Sequence, residues 1–467
     1  MTVSIGYSIP GVYREPRPRA EGFPRVRTDV AGFVGAAGPQ HIGKAVVVED
    51  WKSYVAEFRQ DDRKRPIEAP AGGALEMAVR DFFANGGRRL WIVNVAARID
   101  AVSPQELLND MLGIGQSLES HGLELLLRQD DVSLVALPDL DAVQVSEDDG
   151  GEPVSLPGDP CFGRCGRRTS DDAVIAHRAG PKLTAERIFS NEDVKFAQRY
   201  LLERLEQESW RWFAVLAPPP GLQASAVVNW RQSLTRHMAP SNARTLLDID
   251  EGSDQGALYW PWLIMQDSPG APQSLRSPVG AITGLFAATD LAEGPQAAPA
   301  NKSLFGVVGL ETDIGDEENR VAYDAGVNVV RALPGRGIRV WGARTLLWQD
   351  QRSKGEPLAF VNARRCLSAI ARSAWVVGQP LVFQPNTVIP RIRLHQTLTG
   401  YLLQVFASGA LMGDRPEQGF FVQVEPAAES PEGQLVCRIG VALAAAAEFI
   451  VFRIGRESGV IETMEAA

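Results

Sequence analysis

Seven residues, Gly38 to Lys44 in the order GPQHIGK, have the spacing of a phosphate-cradling loop as far as its lysine. That chemistry also needs a hydroxyl for magnesium, and Ala45 stands in its place. The residues that follow, Ala45 to Val48, are strand formers, whereas phosphate capture uses the amides of a helix N-terminus. An ordinary loop between strands is therefore expected here. Cys161 and Cys165, with His177 downstream, could offer three ligands to zinc. No fourth ligand of the right type lies nearby, so the alternative is a pair of loop thiols.

Nucleophilic catalysis finds less support. The five histidines, His41, His121, His177, His237 and His395, sit in no recognisable catalytic setting, and no GxSxG elbow occurs. No carboxylate pair stands out, and Asp316 to Asn319, DEEN, reads as a solvated turn. Arg331, Arg336, Arg339 and Arg344 punctuate a Gly- and Pro-containing stretch. Such a series could contact phosphate, but arginines along a turn and strand more often pair with acidic side chains of the same or a neighbouring subunit. Pairing is the expectation for Arg336, Arg339 and Arg344. No cofactor and no catalytic residue is expected.

The elements that would carry these residues alternate between strand and helix. Apolar runs at Val30–Ala37, Ala45–Val48, Leu90–Ala96, Val132–Pro138, Trp212–Pro218 and Ala257–Met265 are separated by helical stretches such as Leu75–Phe83 and Val194–Glu206. That alternation predicts a largely parallel sheet covered on both faces. The polar stretch from Ser146 through Arg168 predicts an exposed excursion. After Asn386, Thr387 and Pro390 predict a helix start, with Leu398, Tyr401, Leu402, Val405 and Phe406 on one face. Strands are expected at Phe420–Val424, Leu435–Leu443 and Glu448–Ile454. Residues 1–24 alternate and then carry four prolines, which suits an extended arm and not a helix.

Composition bounds the partners. The 467 residues suffice for two or three domains, and 47 Lys and Arg against 57 Asp and Glu leave a formal charge of −10, which disfavours nucleic acid. Four cysteines in so long a chain suit a reducing compartment, so synthesis in the cytoplasm is expected. No leader pattern and no membrane span are read.

One resemblance covers nearly the whole chain. PGVY (Pro10–Tyr13), VAGFVGAAGP (Val30–Pro39), FFANGGRRLWIVNV (Phe82–Val95), FAVLAPPPG (Phe213–Gly221), LYWPW (Leu258–Trp262) and SPVGAITGLFAATD (Ser277–Asp290) begin the series. APAN (Ala298–Asn301), AGVNVVRALPGRGIRVWGARTL (Ala325–Leu346), VNARR (Val361–Arg365), FQPNT (Phe383–Thr387), SGALMGDRPEQGFFVQV (Ser408–Val424) and EFIVFRI (Glu448–Ile454) complete it. In this order they resemble the contractile tail sheath proteins of phages and phage-tail-like injection particles. Two departures stand out: Ala444–Ala447 lacks the proline usual before the last motif, and the segment around Cys161 has no counterpart.

The resemblance implies a subtilisin-like α/β domain without catalytic residues over 25–345, with an inserted loop region near 140–190. It implies a C-terminal α+β domain over 346–447, an N-terminal arm over 1–24 and a C-terminal arm over 448–467. Val3, Ile5, Tyr7 and Tyr13, with Phe449, Val451, Phe452 and Ile454, would add strands to neighbouring subunits. Ile392, Arg393, Leu398, Leu402 and Phe406 would form a helix facing an inner tube. The implied partners are further copies in stacked six-subunit rings, the inner tube protein, and baseplate and terminator proteins. A baseplate-proximal paralogue is the nearest alternative, and an α/β hydrolase or a nucleotide-driven motor are the alternatives of another kind.

Overall fold

A computed structural model describes residues 26–59, 73–115, 121–148, 182–207, 210–235, 253–268, 270–348, 355–385, 387–425, 434–445 and 448. The first half runs β1 (Ala31–Ala36), β2 (Lys44–Val48), α1 (Trp51–Phe58), α2 (Leu75–Ala84), β3 (Leu90–Ala96), α3 (Pro104–Leu112), α4 (Gly122–Leu127) and β4 (Leu134–Ala136). It continues with β5 (Val143–Asp148), β6 (Lys182–Arg187), α5 (Asn191–Glu206), β7 (Phe213–Leu216), α6 (Ala224–Thr235) and β8 (Gly256–Trp260). Next come β9 (Leu263–Met265), β10 (Ser274–Arg276), α7 (Val279–Ala292), β11 (Val307–Leu310), α8 (Asp316–Asp324), β12 (Asn328–Leu333) and β13 (Gly337–Trp341). The last part holds α9 (Val361–Gly378), α10 (Val388–Ala407), α11 (Pro416–Gly419), β14 (Phe420–Val424) and β15 (Cys437–Val441).

Eight strands form the main sheet in the order β13-β12-β8-β7-β4-β1-β3-β2. The six inner strands run parallel, and β2 and β13 join antiparallel at the two margins. Inner strands read as unbroken apolar runs because both faces are covered. One face packs on Leu107, Leu126, Leu201 and Val227 of α3 to α6; the other packs on Val79, Phe82, Ile282 and Phe286 of α2 and α7. Helices α2 and α7 approach closely enough that a Cβ on Gly280 would sit 2.6 Å from the Ala78 Cα, so α7 needs glycine there.

The run Ala257–Met265, expected as one strand, divides at Pro261: β8 stays in the main sheet while β9 joins a separate three-stranded sheet in the order β10-β9-β11. Proline has no amide to donate to a ladder, which ends pairing there. DEEN is likewise not a turn. Asp316–Asn319 opens α8, where the Glu318 carboxylate accepts the Gly315 amide at 2.7 Å and three acids face the positive end of the helix dipole.

A third core gathers Trp348, Phe360, Cys366, Ile370, Leu402, Leu411 and Leu443 under α9, α10 and the β14–β15 ribbon. Helix α9 is also bolted to the main body. Arg365 forms a bidentate pair with Asp290 of α7, both bonds 2.7 Å, and donates to the Thr28 carbonyl at 2.8 Å. Both side chains are nearly sealed from solvent, the setting in which removing one partner is expensive.

Candidate functional site

In open parallel sheets, ligands bind beyond the carboxyl ends of the strands, so that margin is where catalytic chemistry would assemble. At the ends of β1, β3 and β4 lie Asn94, Asp139 and Asp141, all buried. Asp139 accepts the Ala36 amide at 2.6 Å and the Leu75 amide at 2.8 Å, so its carboxylate ties β1 to the start of α2. Burial pushes its pKa up to about 6 against those amide bonds. Asp141 is pushed up to about 7, again by burial, with Ser277 and Arg187 opposing. Of the described histidines, His41 lies in the loop at this margin but pairs with Glu57 at 3.0 Å, His121 precedes α4, and His395 is exposed on α10. Among the described residues the margin therefore holds one carboxylate, Asp139, spent on backbone amides, and a second, Asp141, bonded to the Ser277 hydroxyl, with no described histidine joined to that pair.

The Gly38–Lys44 loop is likewise occupied by its own fold. Asn94 receives the Ala37 amide at 2.9 Å and donates to the carbonyls of Gly38 and Gln40 at 2.7 and 2.6 Å. Lys44 then opens β2 instead of a helix, so no helix N-terminus faces an anion there. Cys161, Cys165 and His177 lie outside the described residues, as do Val3, Ile5, Tyr7, Tyr13, Phe449, Val451, Phe452 and Ile454. No cluster of metal-binding residues occurs among the described ones.

The arginine series separates into four roles. Arg331 pairs with Asp316 at 2.6 Å across the β12–α8 junction. Arg339 donates to the carbonyls of Arg336, in the β12–β13 turn, and of Asn301, in the segment between α7 and β11, at 3.1 and 2.6 Å. Arg336 is exposed on that turn and has no acidic partner among the described residues. Among the described residues neither Arg336 nor Arg339 pairs with an acidic side chain.

Arg344 is the most elaborately held of the four arginines. Its guanidinium carbon lies 3.6 Å from the ring centres of both Tyr323 and Trp348, which sandwich it. Nε and Nη2 reach the two carboxylate oxygens of Glu448 at 3.0 and 2.6 Å, and Nη1 donates to the Tyr323 carbonyl at 2.6 Å. The Tyr323 hydroxyl donates to the same carboxylate. Burial pushes the phenol pKa up, and the adjacent Glu448 charge adds to this while Arg344 opposes it. The main chain is fixed as firmly: Asn328 accepts the Arg344 amide at 2.7 Å and donates to its carbonyl at 2.8 Å. Gly342 permits this approach, since a Cβ there would meet Asn328 Oδ1 at 2.8 Å and Tyr323 at 3.0 Å. The hydrogen-bond partners of the Arg344 guanidinium lie 21 and 104 residues away, beyond the reach of spacing arguments; only the acidic run at Asp316, as partner for Arg331, left a signal.

Helix α10 presents two apolar faces. Leu394, Leu398 and Leu402 are buried, and Phe406 is half-buried against Gly419. Leu398 and Leu402 therefore serve the domain's own packing and are not available to face a partner, and Phe406 gives part of its surface to the same packing. Ile392 and Arg393 are exposed, and with Val388, Ile389 and Leu403 they leave an apolar strip in solvent. Phe383, just before the helix, is fully exposed at 102%.

These features define a mixed α/β protein with a parallel and antiparallel sheet, whose described polar clusters are spent on joining its own elements. Residues 193–346, from α5 to just past Arg344, match the family model of the phage tail sheath protein central domain. A tail sheath protein of Burkholderia phage BcepMu is 26% identical over 187 residues, 39% of each chain. The match thus spans well under half the length of that relative. Among solved structures, a chain of the anti-feeding prophage baseplate aligns over 97% of this chain and 100% of its own at 21% identity, with a TM-score of 0.63. A chain of the PVC extracellular contractile injection system sheath in its contracted state covers 97% of this chain and 99% of its own at 21% identity, with a TM-score of 0.62. The fold is shared with these particles over nearly the whole length.

Proposed function

We propose that this chain is the sheath subunit of a phage tail or phage-tail-like injection particle, made in a bacterial cytoplasm, which polymerises into stacked six-subunit rings around an inner tube. The observation that carries the reading is the shared fold over 97% of the chain with contractile-particle proteins, one of them in a contracted sheath. In this reading the body over 25–345 is a subtilisin-like domain that has no catalytic role, and 346–447 is the sheath's C-terminal domain.

The β14–β15 ribbon supports strand exchange. Two strands alone make a marginal sheet, and each has an outer edge with no strand partner among the described residues. Arms from neighbours, residues 1–24 carrying Val3, Ile5, Tyr7 and Tyr13 and 448–467 carrying Phe449, Val451, Phe452 and Ile454, satisfy those edges through main-chain bonds. The bodies then slide between a long, loose lattice and a short, wide one while the arms stay joined. No nucleotide drives this, because a packing difference of a few kcal/mol per subunit, repeated in every ring, suffices. The exposed strip of α10, with Ile392 and Arg393, faces the inner tube, and Arg336 pairs across subunits.

Electron microscopy of the purified chain tests the reading. Tubes or stacked rings are expected, and deletion of residues 1–20 abolishes them while leaving a folded monomer. A full-length chain that stays monomeric under all assembly conditions overturns it. The likeness to a baseplate chain supports a second reading, a minor paralogue next to the baseplate, for which single rings without tubes are the signature.

A further inference from the structure

Between α9 and the loops leading into β4 and β7, three guanidinium groups, Arg211, Arg365 and Arg372, line one cavity of about 10 Å3 together with Trp212 and Ser368. Two of the three charges are matched: Arg365 by Asp290 at 2.7 Å and Arg211 by Asp130 at 3.2 Å. The other nearby carboxylates are also committed, Asp29 to Arg27 at 2.6 Å and Asp131 to Arg89 and the Trp91 indole at 2.9 and 2.8 Å. Arg372 has no carboxylate at ion-pair distance among the described residues, and its Nη2 donates only to the Asp130 carbonyl at 2.9 Å. Its Nη1 is buried with no hydrogen-bond partner, although the residue is only 5% exposed. The Trp212 indole N–H is a second buried donor without an acceptor.

A buried cation and two idle donors around one void call for an acceptor that carries charge. Burial lowers the Arg372 pKa to about 10, with Arg211 and Arg365 pushing the same way and Asp131 and Asp130 opposing. We propose that the cavity is a binding site for one monatomic anion, chloride in ordinary media, held by Arg372 and the surrounding N–H and hydroxyl donors. The size points to the class: at about 10 Å3 the space holds roughly one water-sized guest, and a monatomic ion is the smallest acceptor that carries charge. A water molecule would accept the same hydrogen bonds but leave the charge uncompensated. The bound ion clamps α9 to the main sheet beside the Arg365–Asp290 pair.

The test is thermal unfolding of the full chain at fixed ionic strength in sodium chloride, bromide, gluconate or sulfate. The expected result is a Tm that climbs with the logarithm of chloride or bromide concentration, as linkage to one bound ion requires, and does not climb in gluconate or sulfate. Arg372→Met, which keeps the length and removes the charge, should abolish the halide dependence. Should that variant fail to fold, chloride-35 line broadening on the unaltered protein, reversed by bromide, reads the same site. Identical Tm values in chloride and gluconate without line broadening would overturn the proposal and leave a water in the cavity.

Discussion

Removing Glu448 should unlock the Arg344 clamp at a cost that can be worked from its geometry. The Arg344 side chain is 2% exposed and the Glu448 side chain 14%, so deleting the carboxylate leaves a desolvated guanidinium with one carbonyl and two aromatic faces. Breaking a buried pair from one side costs about 3–5 kcal/mol. The ring sandwich survives in Glu448→Ala and holds the cation, so about 3 kcal/mol, the lower end, is expected. With a urea m-value of about 3 kcal/mol/M for a unit of this size, the midpoint falls by about 1 M. The assay is a double-mutant cycle by urea denaturation, comparing Glu448→Ala, Arg344→Leu and both together. Because the double variant has no stranded charge, it should be about 2 kcal/mol more stable than the sum of the singles predicts. Strictly additive effects, or a Glu448→Ala midpoint equal to that of the unaltered chain, would refute the idea that this carboxylate neutralises Arg344.

Asp139→Ala strands the buried amides of Ala36 and Leu75 and should cost about 2–5 kcal/mol, read as a lowered urea midpoint. Asp141 has a folded pKa raised to about 7 above its ordinary 3.8, so the native state holds the extra proton and stability falls as pH rises from about 4 through 7. Asp141→Asn should therefore flatten that slope and raise Tm by about 2 °C or more at pH 8, with little change at pH 4, in scans across pH. Phe383→Ser with Ile392→Ser removes exposed apolar surface and should leave Tm within about 1 °C while weakening co-sedimentation with an inner tube. Undiminished co-sedimentation would remove α10 from the proposed tube contact.

Local signals in the chain were strong where one element decides its own fate. Leu90–Ala96 and Phe420–Val424 are strands with the bounds their apolar patterns suggest, and the Asn85-Gly86 stop closes α2 as expected. Helix α9 was hidden: Phe360 before it makes no side-chain cap, and four of its buried positions are Asn362, Arg364, Arg365 and Arg372, which break the apolar stripe that marks a helix. Those arginines are buried because Asp254, Asp290 and main-chain carbonyls wait for them far away in sequence, which no window of residues reveals. Helix α7 escaped for the opposite reason, being apolar on nearly all sides between α2 and the sheet. The candidate site was legible only as a series of arginines; which of them would be sealed, capped on carbonyls or left in solvent depends on long-range packing.

The Arg344 clamp also fixes where pulling on the tail is felt. Tension applied beyond Glu448 reaches a guanidinium wedged between two rings, and its backbone is gripped on both sides by Asn328 in the main sheet. The strain passes to β12 and on to β8, bypassing the two-stranded ribbon, so the thick part of the molecule bears the haul and its thinnest sheet is spared.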